Sequence, residues 1–258
     1  MAGNDDDAFE ILSAGGTGPA VIVCEHASNH IPAEYHGLGL SEDARQSHAA
    51  WDPGAEAVAR RVAMALDAPM ISGRISRLVH DCNRPPGAPG AMPERTEFIE
   101  VPGNVGLDAT ERAARVRQVY DPFTRALTNL LDRRRKAGHR FALVTIHSFT
   151  PTWLGRPRDV EIGILHDDDS RLADAILARG ADISERRIER NAPYGPADGV
   201  THTLRLHGVA GGLPNVMIEL RNDLIATPAD QDGAARELLD LLCPALAGPG
   251  RVKAHGDA

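Results

Sequence analysis

The stretch Ala20-Val21-Ile22-Val23-Cys24-Glu25-His26-Ala27-Ser28-Asn29-His30 constrains this chain more than any other. Its first five residues are apolar and rich in β-branched side chains, the pattern of a fully buried strand. The run then breaks into Glu25, His26, Ser28 and Asn29, a dense polar set without helical period. In open α/β sheets, ligands sit just outside the carboxyl ends of the strands. A buried strand that delivers a Glu and a His at that end is placed to build a site. Taken alone, His26 reads equally as a hydrogen-bonded interior histidine and Glu25 as a loop charge.

A second stretch repeats the pattern. Phe141-Ala142-Leu143-Val144-Thr145-Ile146 reads as a buried strand and ends in His147-Ser148. If the two strands are neighbours in one sheet, His26 and His147 meet. Imidazole is the commonest metal ligand, and two histidines with a carboxylate make a hydrolytic zinc site that keeps an open position. Asn215 to Ile218 is the last buried strand and leads into Glu219-Leu220-Arg221-Asn222-Asp223. Side chains alternate along a strand, so Glu219 and Arg221 share a face. Glu219 is then either the general base of a hydrolase or the partner of Arg221 in an ion pair.

Other segments frame these. Asp52, in Trp51-Asp52-Pro53-Gly54, is either the cap of a helix over Ala55–Leu66 or a carboxylate turned into the site. Ala68 to Ile75 reads as a strand and runs into Ser76-Arg77-Leu78-Val79-His80-Asp81-Cys82-Asn83-Arg84-Pro85-Pro86. The prolines keep Arg84 extended, and a guanidinium on a stiff backbone suits two-point binding of a carboxylate. Arg77 is expected to pair with Asp81. Gly87 to Val105 is a candidate lid loop, Asp108 to Lys136 a long helix and Asp159 to Leu165 a strand. Ser170 to Arg179 reads as a helix, Val200 to His207 as a strand and Thr227 to Leu246 as a closing helix. The basic run Arg133 to Lys136 is expected to be a solvated helix end. Residues 1–19 are expected as a flexible lead-in, 20–247 as one hydrolase domain and 248–258 as a disordered tail.

Composition narrows the class. The 258 residues carry a net charge of −8, which argues against a nucleic-acid-binding surface. Three scattered cysteines make neither a disulfide framework nor a cysteine zinc site. No apolar run reaches membrane-spanning length, and the acidic start lacks a signal-peptide pattern, so a cytoplasmic protein is expected.

Five blocks in order resemble the N-formylglutamate amidohydrolase family: Cys24-Glu25-His26-Ala27-Ser28-Asn29, Trp51-Asp52-Pro53-Gly54, the block from Ser76 to Pro85, Ile146-His147-Ser148 and Ile218 to Asp223. That family is similar to the zinc carboxypeptidases and aminoacylases. The resemblance implies an α/β fold: a three-layer α/β/α sandwich with a central mixed β-sheet, zinc exopeptidase-like. It implies one zinc ion on His26 and His147, Glu219 as general base and Asn83-Arg84 gripping the carboxylate of an N-acyl amino acid, with Ser148 and Arg221 nearby. In carboxypeptidases a Glu follows the first His by three residues. Here Asn29 stands there, which leaves Asp52, with Glu25 as the alternative, for the carboxylate ligand. Many members carry Pro-His-Ser-Gly where this chain has Glu-His-Ala-Ser, which marks a divergent branch. Two other functions fit the residues. One is a zinc peptidase or amidase for a larger peptide-like substrate. The other is a non-catalytic binder of acidic small molecules through Arg84, Arg221 and the histidines.

Overall fold

A computed structural model describes residues 7–248. Seven strands form the main sheet: β1 (Phe9–Leu12), β2 (Ala20–Cys24), β3 (Met70–Gly73), β4 (Ala142–Phe149), β5 (Ile162–Leu165), β6 (Ile188–Arg190) and β7 (Asn215–Arg221). Their order is β1-β3-β2-β4-β7-β5-β6. The four central strands β3, β2, β4 and β7 run parallel. At one edge β1 is antiparallel to β3, and at the other β5 and β6 run together against β7. The sheet is therefore mixed, with a parallel centre.

Alternation along the strands divides the core into two layers. Ile22, Val144 and Ile218 face helices α2 (Ala55–Ala65), α5 (Arg171–Ile183) and α6 (Pro228–Leu246), where they meet Val58, Ile176 and Leu238. Val23, Leu143 and Met217 face the other way, against Phe123, Leu127 and Leu130 of α4 (Asp121–Lys136). Burying each such side chain contributes roughly 1.5–3 kcal/mol, which makes this three-layer α/β/α packing the main source of stability. The short α1 (Glu42–Gln46) lies in the loop after β2. Helix α3 (Ala109–Arg115) opens with a capping box on Asp108 and continues through a π turn into α4, as the long helical pattern predicts. No helix among the described residues is long and apolar enough to cross a membrane.

Three expectations need correction. Phe9–Leu12, placed in a flexible lead-in, is an edge strand. Residues 1–6 and 249–258, which hold the start of that lead-in and nearly all of the expected tail, lie outside the described residues. Val200–His207 is not a strand. It enters a helical turn at Leu204–Val209, with Leu204, His207 and Gly208 buried while Arg205 and Leu206 are exposed. That segment alternates in sequence, but its burial follows a helical period. Arg134 is not a solvated helix end either. It is buried, donates to the carbonyls of Gly16 and Gly18, and lies 5.0 Å from the Phe141 ring centroid. The guanidinium thus satisfies two carbonyls of the turn that feeds β2.

Gly73 lies where β3 passes the end of β2. A Cβ there would stand 2.1 Å from the carbonyl oxygen of Glu25. Only a glycine lets the two backbones approach this closely, and the residue after Glu25 is His26. Gly73→Ala should destabilise the protein by about 1–3 kcal/mol, as overpacked sites do. Denaturant unfolding measures this, and an unchanged midpoint would show that the strand end yields freely.

Candidate functional site

Parallel strands gather the site at their carboxyl ends. Glu219 on β7 lies in register with His147 on β4. Val23 on β2 pairs with Thr145, so Glu25, two residues further on, comes level with His147 from the other side. Asp52 arrives from the turn before α2. The cap of that helix is Gly54, at φ 80°, where any Cβ would meet the Ile225 carbonyl at 2.6 Å. Asp52 is therefore not the cap. Its backbone N–H donates to the His26 carbonyl at 2.9 Å, and its carboxylate is free to turn inward.

The carboxylate becomes the centre of the cluster. Asp52 Oδ2 lies 3.2 Å from His26 Nδ1 and 3.0 Å from His147 Nδ1, and the two Nδ1 atoms are 3.3 Å apart. The ligand atoms of these three buried residues all fall within 4.8 Å of one another. The outer nitrogens face carboxylates of their own. His26 Nε2 is 2.8 Å from Asp81 Oδ1, and His147 Nε2 is 3.1 Å from Glu25 Oε2. Glu25 thus backs a histidine, while Asp52 supplies the carboxylate of the cluster.

Charge runs strongly negative here. Burial by itself raises the Asp52 pKa, yet His26 and Arg77 hold it well below the carboxylate range. Burial opposes a charge on His26, but Asp81 and Asp52 carry its pKa up to about 9. His147 is likewise pushed well above the usual range, against its burial, chiefly by Glu25. Glu219 goes the other way: burial raises it to about 7, with His147 lowering and Asp52 raising it. Four carboxylates gather here against two guanidinium groups: Arg77 Nη1 is 3.1 Å from Asp52 Oδ1, and Arg84 Nε is 3.8 Å from Asp81 Oδ2. With His26 Nε2 bonded to Asp81 and Glu25 set beside His147 Nε2, both Nδ1 atoms crowd the Asp52 oxygen. Only a cation relieves that repulsion, either protons or a metal ion. Two imidazole nitrogens and a carboxylate oxygen are a donor set that fits a divalent metal.

The cluster opens into a cavity of about 490 Å³ whose lining includes His26, Asp52, His147 and Glu219. Glu219 is buried and its Oε2 has no hydrogen-bond partner. Asn83 and Arg84 also line the cavity, but both are engaged. Asn83 Nδ2 donates to the Val200 carbonyl at 2.6 Å, and its Oδ1 accepts from Thr203 N–H at 3.0 Å. Arg84 Nη1 donates to the Asp198 carbonyl at 2.7 Å, and its Nε lies 3.8 Å from Asp81 Oδ2. Ser148 lines the cavity while its hydroxyl donates to the Pro53 carbonyl at 2.9 Å, which secures the turn that carries Asp52. Arg221 is not among the lining residues. Its guanidinium pairs with Asp223 at 2.8 Å, so neither the carboxylate-binding role nor the Glu219 ion pair is what the structure places there.

Several members escaped the sequence reading. Arg77 and Asp81 do not pair with each other. Arg77 reaches Asp52 and donates to the Ala49 carbonyl at 3.0 Å, while Asp81 takes His26. Their one sequence signal was membership of the Ser76–Arg84 block. His48, Trp153 and Tyr194 line the cavity with no local motif to announce them.

A mixed α/β sheet carrying two histidines and an aspartate beside a buried glutamate with one unpartnered oxygen defines a class: an α/β protein with a candidate metal-binding hydrolytic site. A family model described as N-formylglutamate amidohydrolase matches residues 18–226, a span that holds every residue of the cluster. The chain belongs to the N-formylglutamate amidohydrolase family, a family of enzymes. It is similar to gene product Atu2144 from Agrobacterium tumefaciens, at 52% identity and TM-score 0.92 over 94% of this chain and 96% of that one. It shares its fold with an N-formylglutamate amidohydrolase from Ralstonia eutropha JMP134, at 18% identity and TM-score 0.59 over 93% and 96% of the two chains. No curated protein matches the chain.

Asn83 ties the block that holds Asp81 to the segment from Val200 to Thr203. Asn83→Ala should cost about 1–3 kcal/mol, the penalty for leaving buried backbone groups unpaired. Urea unfolding reads the loss. No loss would leave the Asn83 amide to a role with substrate alone.

Proposed function

We propose that this chain is a metal-dependent amidohydrolase that cleaves the acyl–nitrogen bond of an N-acyl amino acid, N-formylglutamate being the first substrate to test. Water enters, and formate and the free amino acid leave. One observation supports this function above the others: a three-residue ligand cluster and a buried carboxylate with one unpartnered oxygen, Glu219, share one cavity. His26, Asp52 and His147 would hold the ion, and their donor set favours zinc. When bound, such an ion supplies Lewis acidity towards a carbonyl and lowers the pKa of water. The zinc exopeptidase-like character of the fold belongs to the same proposal.

The chain's own residues divide the remaining work. Asp81 and Glu25 fix the tautomer and orientation of the two imidazoles. Glu219, poised near neutrality by burial, takes the proton of the attacking water and returns it to the departing amine. Arg77, anchored on the Ala49 carbonyl, offsets negative charge beside Asp52. Arg84, which lines the cavity, offers guanidinium N–H groups to the substrate α-carboxylate.

Metal removal is the first test. Protein treated with a chelator should lose turnover of N-formylglutamate and regain it with added zinc. Full activity in protein shown by elemental analysis to be free of transition metal would overturn the metal dependence. Thermal stabilisation by N-acyl amino acids without product release would favour the binding-module function instead.

Glu219→Gln tests the base. The variant should fold and retain its metal while kcat drops on the order of a hundredfold or more. Near-normal kcat would assign the proton transfer to another group.

A further inference from the structure

Two short hairpins meet at the rim of the cavity. In one, Arg95–Thr96 pairs with Ile99–Glu100 and turns at Glu97-Phe98. In the other, Thr152–Trp153 pairs with Arg156–Pro157 and turns at Leu154-Gly155. Their outer sides face solvent, with Phe98 67% and Leu154 53% exposed. Their inner sides do not: Arg95, Thr96, Glu97 and Trp153 line the same cavity as the cluster. The hairpins therefore stand between the reacting centre and bulk water.

One carboxylate joins them. Glu97 Oε1 accepts from the Leu154 N–H at 3.0 Å, and Glu97 Oε2 lies 3.3 Å from His48 Nε2. Although it sits at a hairpin tip, the Glu97 side chain is only 14% exposed. His48 belongs to the segment leading to Asp52, and its carbonyl also receives Arg77. The His48 ring meets Trp153 edge-on, with centroids 6.2 Å apart. Trp153 is backed by Arg158, whose guanidinium carbon lies 5.1 Å from it, 4.7 Å from Tyr194 and 5.6 Å from Phe149. Three segments distant in sequence are thus closed around the cavity by a single side chain.

We infer that Glu97 latches the two hairpins into a strap that sets substrate length, so that the enzyme takes single amino acids bearing a short acyl group and rejects peptides and long acyl chains. This stands on the hydrolase function proposed above. A substrate that extends past the rim must part the hairpins. Parting them breaks the Leu154 N–H bond and the His48 contact together, and charged hydrogen bonds of this kind are worth roughly tenfold to a hundredfold in an equilibrium. A compact N-acyl amino acid leaves both intact. Glu97 has no part in the proton transfers or in the ligand cluster, so its removal leaves the reaction itself in place.

The test uses the metal-loaded full chain and a graded series. N-formyl-, N-acetyl-, N-butyryl- and N-hexanoylglutamate lengthen one end, and N-formylglutamyl-alanine lengthens the other. Wild-type kcat/KM should fall steeply from the shortest member along at least one arm. Glu97→Ala should narrow that gap about tenfold, mainly through lower KM for long substrates, with kcat for the shortest substrate within a few-fold. Glu97→Gln, which still accepts from Leu154, should fall between the two. Amide hydrogen exchange at Leu154 should quicken about tenfold or more in Glu97→Ala while the His147 amide is unaffected. A flat length dependence in wild type, an unchanged gap in Glu97→Ala, or an unprotected Leu154 amide in wild type overturns the strap. Absence of turnover for every member by the wild type instead strikes the hydrolase function and takes the substrate claim with it, whereas the Leu154 amide still reports the latch.

Discussion

One buried oxygen organises this protein. Asp52 Oδ2 stands within hydrogen-bonding distance of Nδ1 on both His26 and His147. A buried carboxylate carries a large desolvation penalty unless cations surround it, and the structure is arranged to supply them. Arg77 covers its second oxygen, two imidazoles face its first, and each imidazole is held from behind by a further carboxylate. Remove the central charge and Asp81 and Glu25 have no reason to hold the rings as they do. The network is a buried alternation of negative and positive groups whose centre calls for a cation.

The fold exists to hold that alternation still. Parallel strands β2, β4 and β7 end at the same edge of the sheet, so three consecutive registers deliver Glu25, His147 and Glu219 side by side. Both faces of these strands are packed by helices, which leaves the strand ends little freedom to shift. The turn bearing Asp52 is tied to β2 through the His26 carbonyl and to β4 through the Ser148 hydroxyl. Geometry of this kind, built on sheet ends and not on free loops, suits a site that must keep ligands in fixed positions. The outer walls of the cavity come from elsewhere, from the loops and hairpins that carry Arg95, Glu97 and Trp153.

Glu219 and Asp52 show how environment divides labour among identical groups. Both are buried carboxylates in one cavity. Asp52 lies among His26, His147 and Arg77 and stays ionised, whereas Glu219 has an unpartnered oxygen and is carried up to about 7. Pairs of titratable groups driven apart in this way mark acid–base chemistry.

Much of this was legible in the sequence, and the limits have a physical pattern. The buried strands ending in His26, His147 and Glu219 could be read because an apolar run that stops in polar residues is a local signal. Their convergence needed only the assumption of one sheet. The long helix from Asp108 was readable for the same reason, its cap and period being local. What sequence left open or misjudged were choices between alternatives of equal local standing. Asp52 can cap a helix or enter a site, and the crowding of Gly54 against Ile225 decides it. Arg77 can pair with Asp81 nearby or with Asp52 across the fold. Arg134 can face water or satisfy the turn before β2, and the position of that turn selects the second. Val200–His207 alternates like a strand but is buried like a helix, with Leu204, His207 and Gly208 turned inward together. Local pattern determines which elements form and which residues stand at their ends. Partner choice among buried charges depends on distances that only the packed chain creates, and Coulomb energy in a dry interior makes those distances decisive.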